Sequence, residues 1–271
     1  MKYIISFAFF LSFLLPMHSY AGWIITGRYI DSDGKTTLKR YFIQDNEVKA
    51  EKFNLIYSCN LKTGVLVIVD PVDLVYVKTT YNAYAGKLKE IKLKRLNELL
   101  ALIPEDQKQD YARVYREQIE NSVFLSKPEI DSVRIVRLND STKLLGYRTT
   151  KYIITDHGRK KEEFYFTEEV DVSPDFNQEA FLKFVFLLEP EDKTLMYMNS
   201  DNYLNTVRNG LVMRRFIFED GFRSEWQVNK IEKQNIPAYH FGAPDLCKEL
   251  TLDKWLVRVK ESENKPYDDY E

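Results

Sequence analysis

Hydrophobic and polar positions alternate with a period of two over much of this chain, the pattern of half-buried β-strands. Trp23 to Ile30 and Thr37 to Ile43 flank Asp31-Ser32-Asp33-Gly34, a strong turn signal. Asp45-Asn46 marks a second turn, after which Glu47 to Phe53 returns as a third strand. Leu55 to Leu61, Val65 to Val69 and Leu74 to Thr79 follow, separated by Thr63-Gly64 and Asp70-Pro71. Six short strands with turns every eight to twelve residues predict an antiparallel meander. Val65 to Val69 is apolar at every position, so both faces of that strand should be covered.

The spacing then changes. Tyr84 to Ile103 is helical in period, with Leu88, Ile91, Leu96, Leu99, Leu100 and Ile103 on one side. Lys87, Lys89, Lys92, Lys94 and Arg95 occupy much of the rest, as on a solvated face or a surface that meets an anionic membrane. Pro104-Glu105-Asp106 opens a second helix, with Pro and acids where a first turn favours them. Val133 to Leu138 returns to strand. Leu144 to Val170 then predicts a central hairpin through Asp156-His157-Gly158-Arg159, with Gly158 supplying positive φ.

Phe176 to Glu189 is apolar on nearly every side, as a helix buried all round would be; a strand over Phe184 to Leu188 is the alternative. Thr194 to Asn209 is poorly patterned and reads as a flap over an opening. Leu211 to Phe218 and Arg223 to Ile231 predict another hairpin, and Leu250 to Val259 a last helix. Lys260 to Glu271 has the charge of a disordered tail. These elements define one α+β domain over residues 22–259, mainly antiparallel β, with a helical insertion near 83–120.

The first twenty-one residues have the layout of an export signal: Lys2, an apolar run from Ile4 to Leu15, and small residues at Ser19 and Ala21. The run is shorter than the ~20 residues of a membrane span, and Pro16 ends it. The expected location is therefore periplasmic or secreted, with the chain soluble after cleavage. Two cysteines, Cys59 and Cys247, either pair there or serve as two small buried hydrophobes, and spacing does not decide between these. Net charge is −2, which gives a nucleic-acid partner no electrostatic support.

Catalytic signatures are missing. No G-x-S-x-G elbow, Walker loop, dinucleotide fingerprint or H-E-x-x-H occurs, and no Cys/His cluster has metal-ligand spacing. His157 sits in a turn and His240 follows Pro237, positions that suit surface or capping roles. Glu162-Glu163 and Glu168-Glu169 are adjacent on strands, so each pair points to opposite faces and forms no carboxylate dyad. The sequence predicts no enzyme, cofactor or metal.

The stretches WIITGRYIDSDGKTTLKRYFIQDNEVKAEKF and GVLVIVDPVDLVYVKTTY resemble the opening of exported bacterial proteins of the DUF4412 family. IPEDQKQDYARVYREQIE is similar to its helical insertion, and LLGYRTTKYIITDHGRKKEEFYFTEEV to its central glycine-tyrosine hairpin. NGLVMRRFIFEDGF and VNKIEKQNIPAYHFGAP resemble its closing strands. Lys49-Ala50-Glu51 stands where the family often has an Arg-x-acidic element, and Thr149-Thr150 where a Cys sometimes occurs. The resemblance implies a fold like the LolA/LppX/RseB-type lipoprotein carriers. In those, a curved half-barrel sheet is covered on its concave side by helices and holds acyl chains.

Two functions follow as expectations. The first is a non-enzymatic periplasmic binding protein holding a hydrophobic ligand, a lipid or lipoprotein acyl chain, in the half-barrel cavity. Its lining would be Val65, Val67, Val69, Phe181, Phe184, Val185 and Leu188, the apolar surplus of the chain. The second is an envelope interaction module with a filled core, recognising a protein partner through an edge strand or the flap. An envelope protein or a membrane surface is the macromolecular partner in either case.

Overall fold

The computed structural model describes residues 21–52, 55–121, 132–188, 197–219 and 221–263. The export signal expected over 1–21 thus lies outside the described residues except for Ala21. The N-terminal meander is β1 (Gly22–Ile30), β2 (Thr36–Gln44), β3 (Glu47–Lys52), β4 (Leu55–Asn60), β5 (Val65–Asp70) and β6 (Val75–Thr80). Two helices follow, α1 (Tyr81–Leu100) and α2 (Glu105–Asn121). β7 (Val133–Leu144), β8 (Tyr147–Asp156) and β9 (Arg159–Thr167) form the second meander, which leads into α3 (Gln178–Leu188) and α4 (Asp201–Val207). β10 (Leu211–Glu219), β11 (Phe222–Gln234), a 3₁₀ turn (Ala238–Phe241), β12 (Lys248–Glu249) and α5 (Leu252–Glu263) complete it.

All twelve strands join one open, curved sheet in the order β12-β6-β5-β4-β3-β2-β1-β11-β10-β9-β8-β7. Every pairing is antiparallel except β12 against β6. The fold is therefore α+β, mainly antiparallel, with helices over the concave face of the sheet. The central seam is β1 against β11, which returns the end of the chain to its beginning.

Turn chemistry sets the hairpins. His157 and Gly158 have φ of 49° and 75°, the mirror-image turn whose twist suits a two-residue hairpin between β8 and β9. Asp45 and Asn46, at 51° and 64°, do the same between β2 and β3. α1 is capped by the Thr80 hydroxyl, which accepts from the Ala83 N–H. Its first turns pack on the sheet through Tyr84 and Ala85, while Leu96 is buried farther along the helix, which also packs against α2. α5 continues to Glu263, so the charged stretch expected as a tail begins as helix.

The concave face holds two adjoining apolar clusters. One joins Ile25, Ile43, Val48, Leu66, Ile68 and Val77 of the N-terminal strands. The other joins Ile154, Phe164 and Phe166 of β8 and β9 to Tyr203 and Val207 of α4. α3 serves both: Phe184 and Leu187 enter the first, Leu182 and Phe186 the second, and Val185 touches each. The helix expected over Phe176 to Glu189 is present as Gln178–Leu188 and the strand alternative is not, but it is not buried all round, since Glu179 and Lys183 pair on its outer side.

One glycine permits the close approach of a large ring at the seam. A Cβ on Gly27 of β1 would lie 2.3 Å from Cη2 of Trp226 and 2.7 Å from the Gln227 carbonyl oxygen. Trp226 therefore brings the edge of its ring close over Gly27, and it meets Tyr41 edge-on at 5.7 Å. Gly27→Ala should lower stability by about 2 kcal/mol, the usual cost of overpacking. In a thermal melt that is a drop of roughly 4–8 °C for a domain of this size.

Candidate functional sites

The pleat decides where the expected lining residues point. β5 alternates, so Leu66 and Ile68 enter the concave cluster while Val65, Val67 and Val69 face the opposite side. Both faces are covered at its centre, since Ile68 and Val69 are each 1% exposed. Phe181, Phe184 and Val185 lie on the concave side. The expected single lining is thus split by the sheet itself. The side chain of Leu188 is outside the described residues.

The concave side is occupied by the protein's own side chains. Phe184 packs among buried strand residues, and Phe181 meets Phe176 at 4.9 Å, Phe184 at 6.2 Å and Tyr41 at 6.3 Å. Tilted and edge-on contacts of this kind suit the quadrupoles of aromatic rings. Tyr41, Phe176, Phe181 and Trp226 remain half-buried, forming the aromatic rim of that packed interior.

Under α4 lies a buried charge that sequence reading did not single out as a site. Glu162 of β9 is fully buried and forms an ion pair with Arg215 of β10, Oε1 to Nε 2.8 Å. Tyr197 donates its hydroxyl to Glu162 Oε2 at 2.9 Å, and Arg215 also donates to the Tyr203 hydroxyl. Burial, then the neighbouring carboxylate, pushes the Tyr197 phenol well above its usual range. Burial raises the Tyr203 phenol as well, against the pull of Arg215. Neither tyrosine is poised to act as a base; the cluster fastens 197–207 to the sheet. The adjacent Glu163 faces the other side, where partial burial pushes its carboxyl up. Lys160 and Lys151 pull it down further, the latter from 3.1 Å, and the net shift is downward. The two acids are on opposite faces, as strand geometry requires.

The cysteines are both free thiols. Cys59 is on β4 and Cys247 lies just before β12, with β5 and β6 between those strands. Burial, aided by Glu47, pushes the Cys59 thiol up to about 12, so it is packed as an inert hydrophobe. His157 lies exposed in its turn beside Asp156, while His240 stacks edge-on against Phe42 at 4.3 Å. Among the described residues, no group of three or more His, Cys, Asp and Glu could hold a metal ion.

Two surface features are concave. The first is a trough of about 630 Å³ between β7 and α4, lined by Val133 to Val136 with Asn202, Asn205 and Thr206. β7 ends the sheet, and no strand among the described residues covers its outer side. The His157 N–H donates to the Ser132 carbonyl, so the Val133, Ile135 and Arg137 backbone groups point outward. Asn202 donates to the first of these, the Val133 carbonyl, at 3.2 Å. Between Arg137 and Ser141 the register shifts, ending the regular edge in a bulge. The second feature is a cleft of about 290 Å³ on the side of the sheet away from α3, and it includes Val65 and Val67.

No protein-family model matches the sequence, so the DUF4412 resemblance remains one of pattern. No curated protein matches it either. Among solved structures, PNGF-II is similar at TM-score 0.40 and 11% identity, over 89% of this chain and 34% of that one. This chain thus spans about a third of the length of PNGF-II. The MucA/MucB complex of Pseudomonas aeruginosa aligns at TM-score 0.33 and 8% identity, covering 90% and 63% of the two chains. A putative outer-membrane lipoprotein-sorting protein domain from Vibrio parahaemolyticus aligns at TM-score 0.26 and 9% identity, covering 84% and 92%. Likeness at this level does not reach function.

Removing the charge from Glu162 without changing its shape isolates the role of the buried cluster. Glu162→Gln leaves Arg215 facing a neutral amide and should cost roughly 3 kcal/mol, as breaking a buried pair does. Denaturant unfolding would show the midpoint fall at unchanged slope. Hydrogen exchange should quicken first in 197–207.

Proposed function

We propose that this chain is an exported, non-enzymatic binding protein that works as an interaction module of the bacterial envelope. The observation that supports this reading is the filled concave side: α3 puts its apolar side chains where a carrier would leave room for cargo. The chain then meets its partner on the surface. No helix among the described residues is long and apolar enough to cross a membrane.

The β7 edge is the surface that fits a protein partner best. An extended segment could add as a further strand, pairing with the outward backbone groups of Ile135 and Arg137. Arg134 and Arg137 stand exposed there with no ion pair among the described residues, which selects an acidic segment. Val136, 51% exposed, offers the apolar contact, and Asn205 of α4 flanks the trough. Arginines on an edge strand also discourage pairing between copies of one protein, so the same residues restrict as well as select.

A photo-crosslinking side chain at Val136 tests this in the producing cell. The expected result is a discrete protein adduct that disappears in the Arg134→Glu/Arg137→Glu variant. A probe at Leu38, which is exposed on β2, should give none. Equal labelling from both positions, or an adduct indifferent to the arginines, would contradict the edge as the docking surface.

A further inference from the structure

The cleft on the far side of the sheet has the makings of a small-molecule site separate from the β7 edge. Sheet register places Lys49, Ser58, Val67 and Lys78 in one row across β3, β4, β5 and β6. All four project to the side away from α3, because the intervening Cys59, Leu66 and Val77 belong to the concave cluster. The 3₁₀ turn closes one wall with Ala238, Phe241 and Gly242. Val65, Val67 and Phe241 thus make an apolar floor and wall.

The polar groups in the cleft are unevenly committed. The Glu47 carboxylate accepts from the Asn60 side-chain amide at 2.7 Å, so these two answer each other. Ser58, 4% exposed as a residue, lines the cleft, and its hydroxyl is not among the buried side-chain atoms left without a partner, so it is open to the cleft. A hydroxyl that faces a cleft can donate to whatever occupies it. Lys78 brings an exposed ammonium without an ion pair among the described residues. The two uncommitted groups are both hydrogen-bond donors, and one carries positive charge. At about 290 Å³ the space is near the lower end of clefts that hold small ligands.

We infer that this cleft binds a small organic carboxylate. Its anionic head meets the Lys78 ammonium and the Ser58 hydroxyl, and its apolar body lies on Val65, Val67 and Phe241. Glu47, at the Asn60 end, repels the head and so orients the ligand. Lys49, the register partner of Ser58, adds positive charge from the other side, although its ammonium leans over the Phe42 ring. The site shares no residue with the β7 edge, so either proposal can fail alone.

Octanoate is the probe. Titrated into the isotope-labelled full chain and followed by NMR, it should saturably shift the Val65, Val67 and Phe241 amides, with a dissociation constant of about 1 mM or tighter. Lys78→Met should weaken binding about tenfold, the scale of one charge-assisted contact, while leaving the rest of the spectrum unchanged. Ser58→Ala should weaken it severalfold. Octylammonium, with the same chain and opposite charge, should bind at least tenfold more weakly than octanoate. Absence of shifts at these amides, equal binding of octylammonium, or full affinity in Lys78→Met would each overturn the assignment.

Discussion

The structure depends on the docking of α3 against the concave face of the sheet. This helix puts Phe184 and Leu187 into one apolar cluster and Leu182 and Phe186 into the next, joining two meanders that share a backbone seam only at β1 and β11. A fully buried side chain of this size contributes on the order of 1.5–3 kcal/mol, so four of them make a large share of a domain's net stability. A sheet this wide has little to hold its curvature apart from what packs inside it. The Glu162–Arg215 pair plays a complementary part. Its attraction is offset by desolvation, so its contribution is to fix where α4 sits more than to add stability.

With α3 packed on the concave face, the proposed partner surface lies elsewhere on the sheet. An open sheet has two edges, and here they are treated differently. At one end β12, only two residues long, covers part of β6, and α5 packs beside it. At the other end β7 presents a regular edge from Val133 to Arg137 before its bulge. Arginines and an exposed valine sit where an added strand would lie. The far side of the N-terminal meander carries the second opportunity, since a strand apolar at every position needs cover on both faces. The 3₁₀ turn supplies that cover over Val67 only in part.

Much of the fold is legible in the sequence because its signals are local. Alternation gives the strands of both meanders, and Asp45-Asn46 and His157-Gly158 give their tight turns, each residue with the positive φ such hairpins require. The apolar run of Val65 to Val69 marks two-sided burial, and α3 announces itself by an apolar run interrupted only by Lys183. Placement was less legible. Alternation separates Val65, Val67 and Val69 from Leu66 and Ile68, but which set faces the helices depends on the long-range pairing of the whole sheet. Cys59 and Cys247 are kept apart by strand order, which their spacing does not encode. Glu162 is on the inward phase with Phe164 and Phe166, yet its partner Arg215 follows a register shift between Val212 and Arg214 that the sequence does not mark.

On the proposed reading the concave side is filled by α3 and carries no lipid cargo. Native mass spectrometry of protein purified from the envelope without detergent, followed by organic extraction, tests this most directly. The expected result is the mass of the bare chain with both thiols reduced, and an extract free of stoichiometric lipid. A stoichiometric extra mass that extracts as lipid would contradict it and return the concave face to the role of a carrier's cavity.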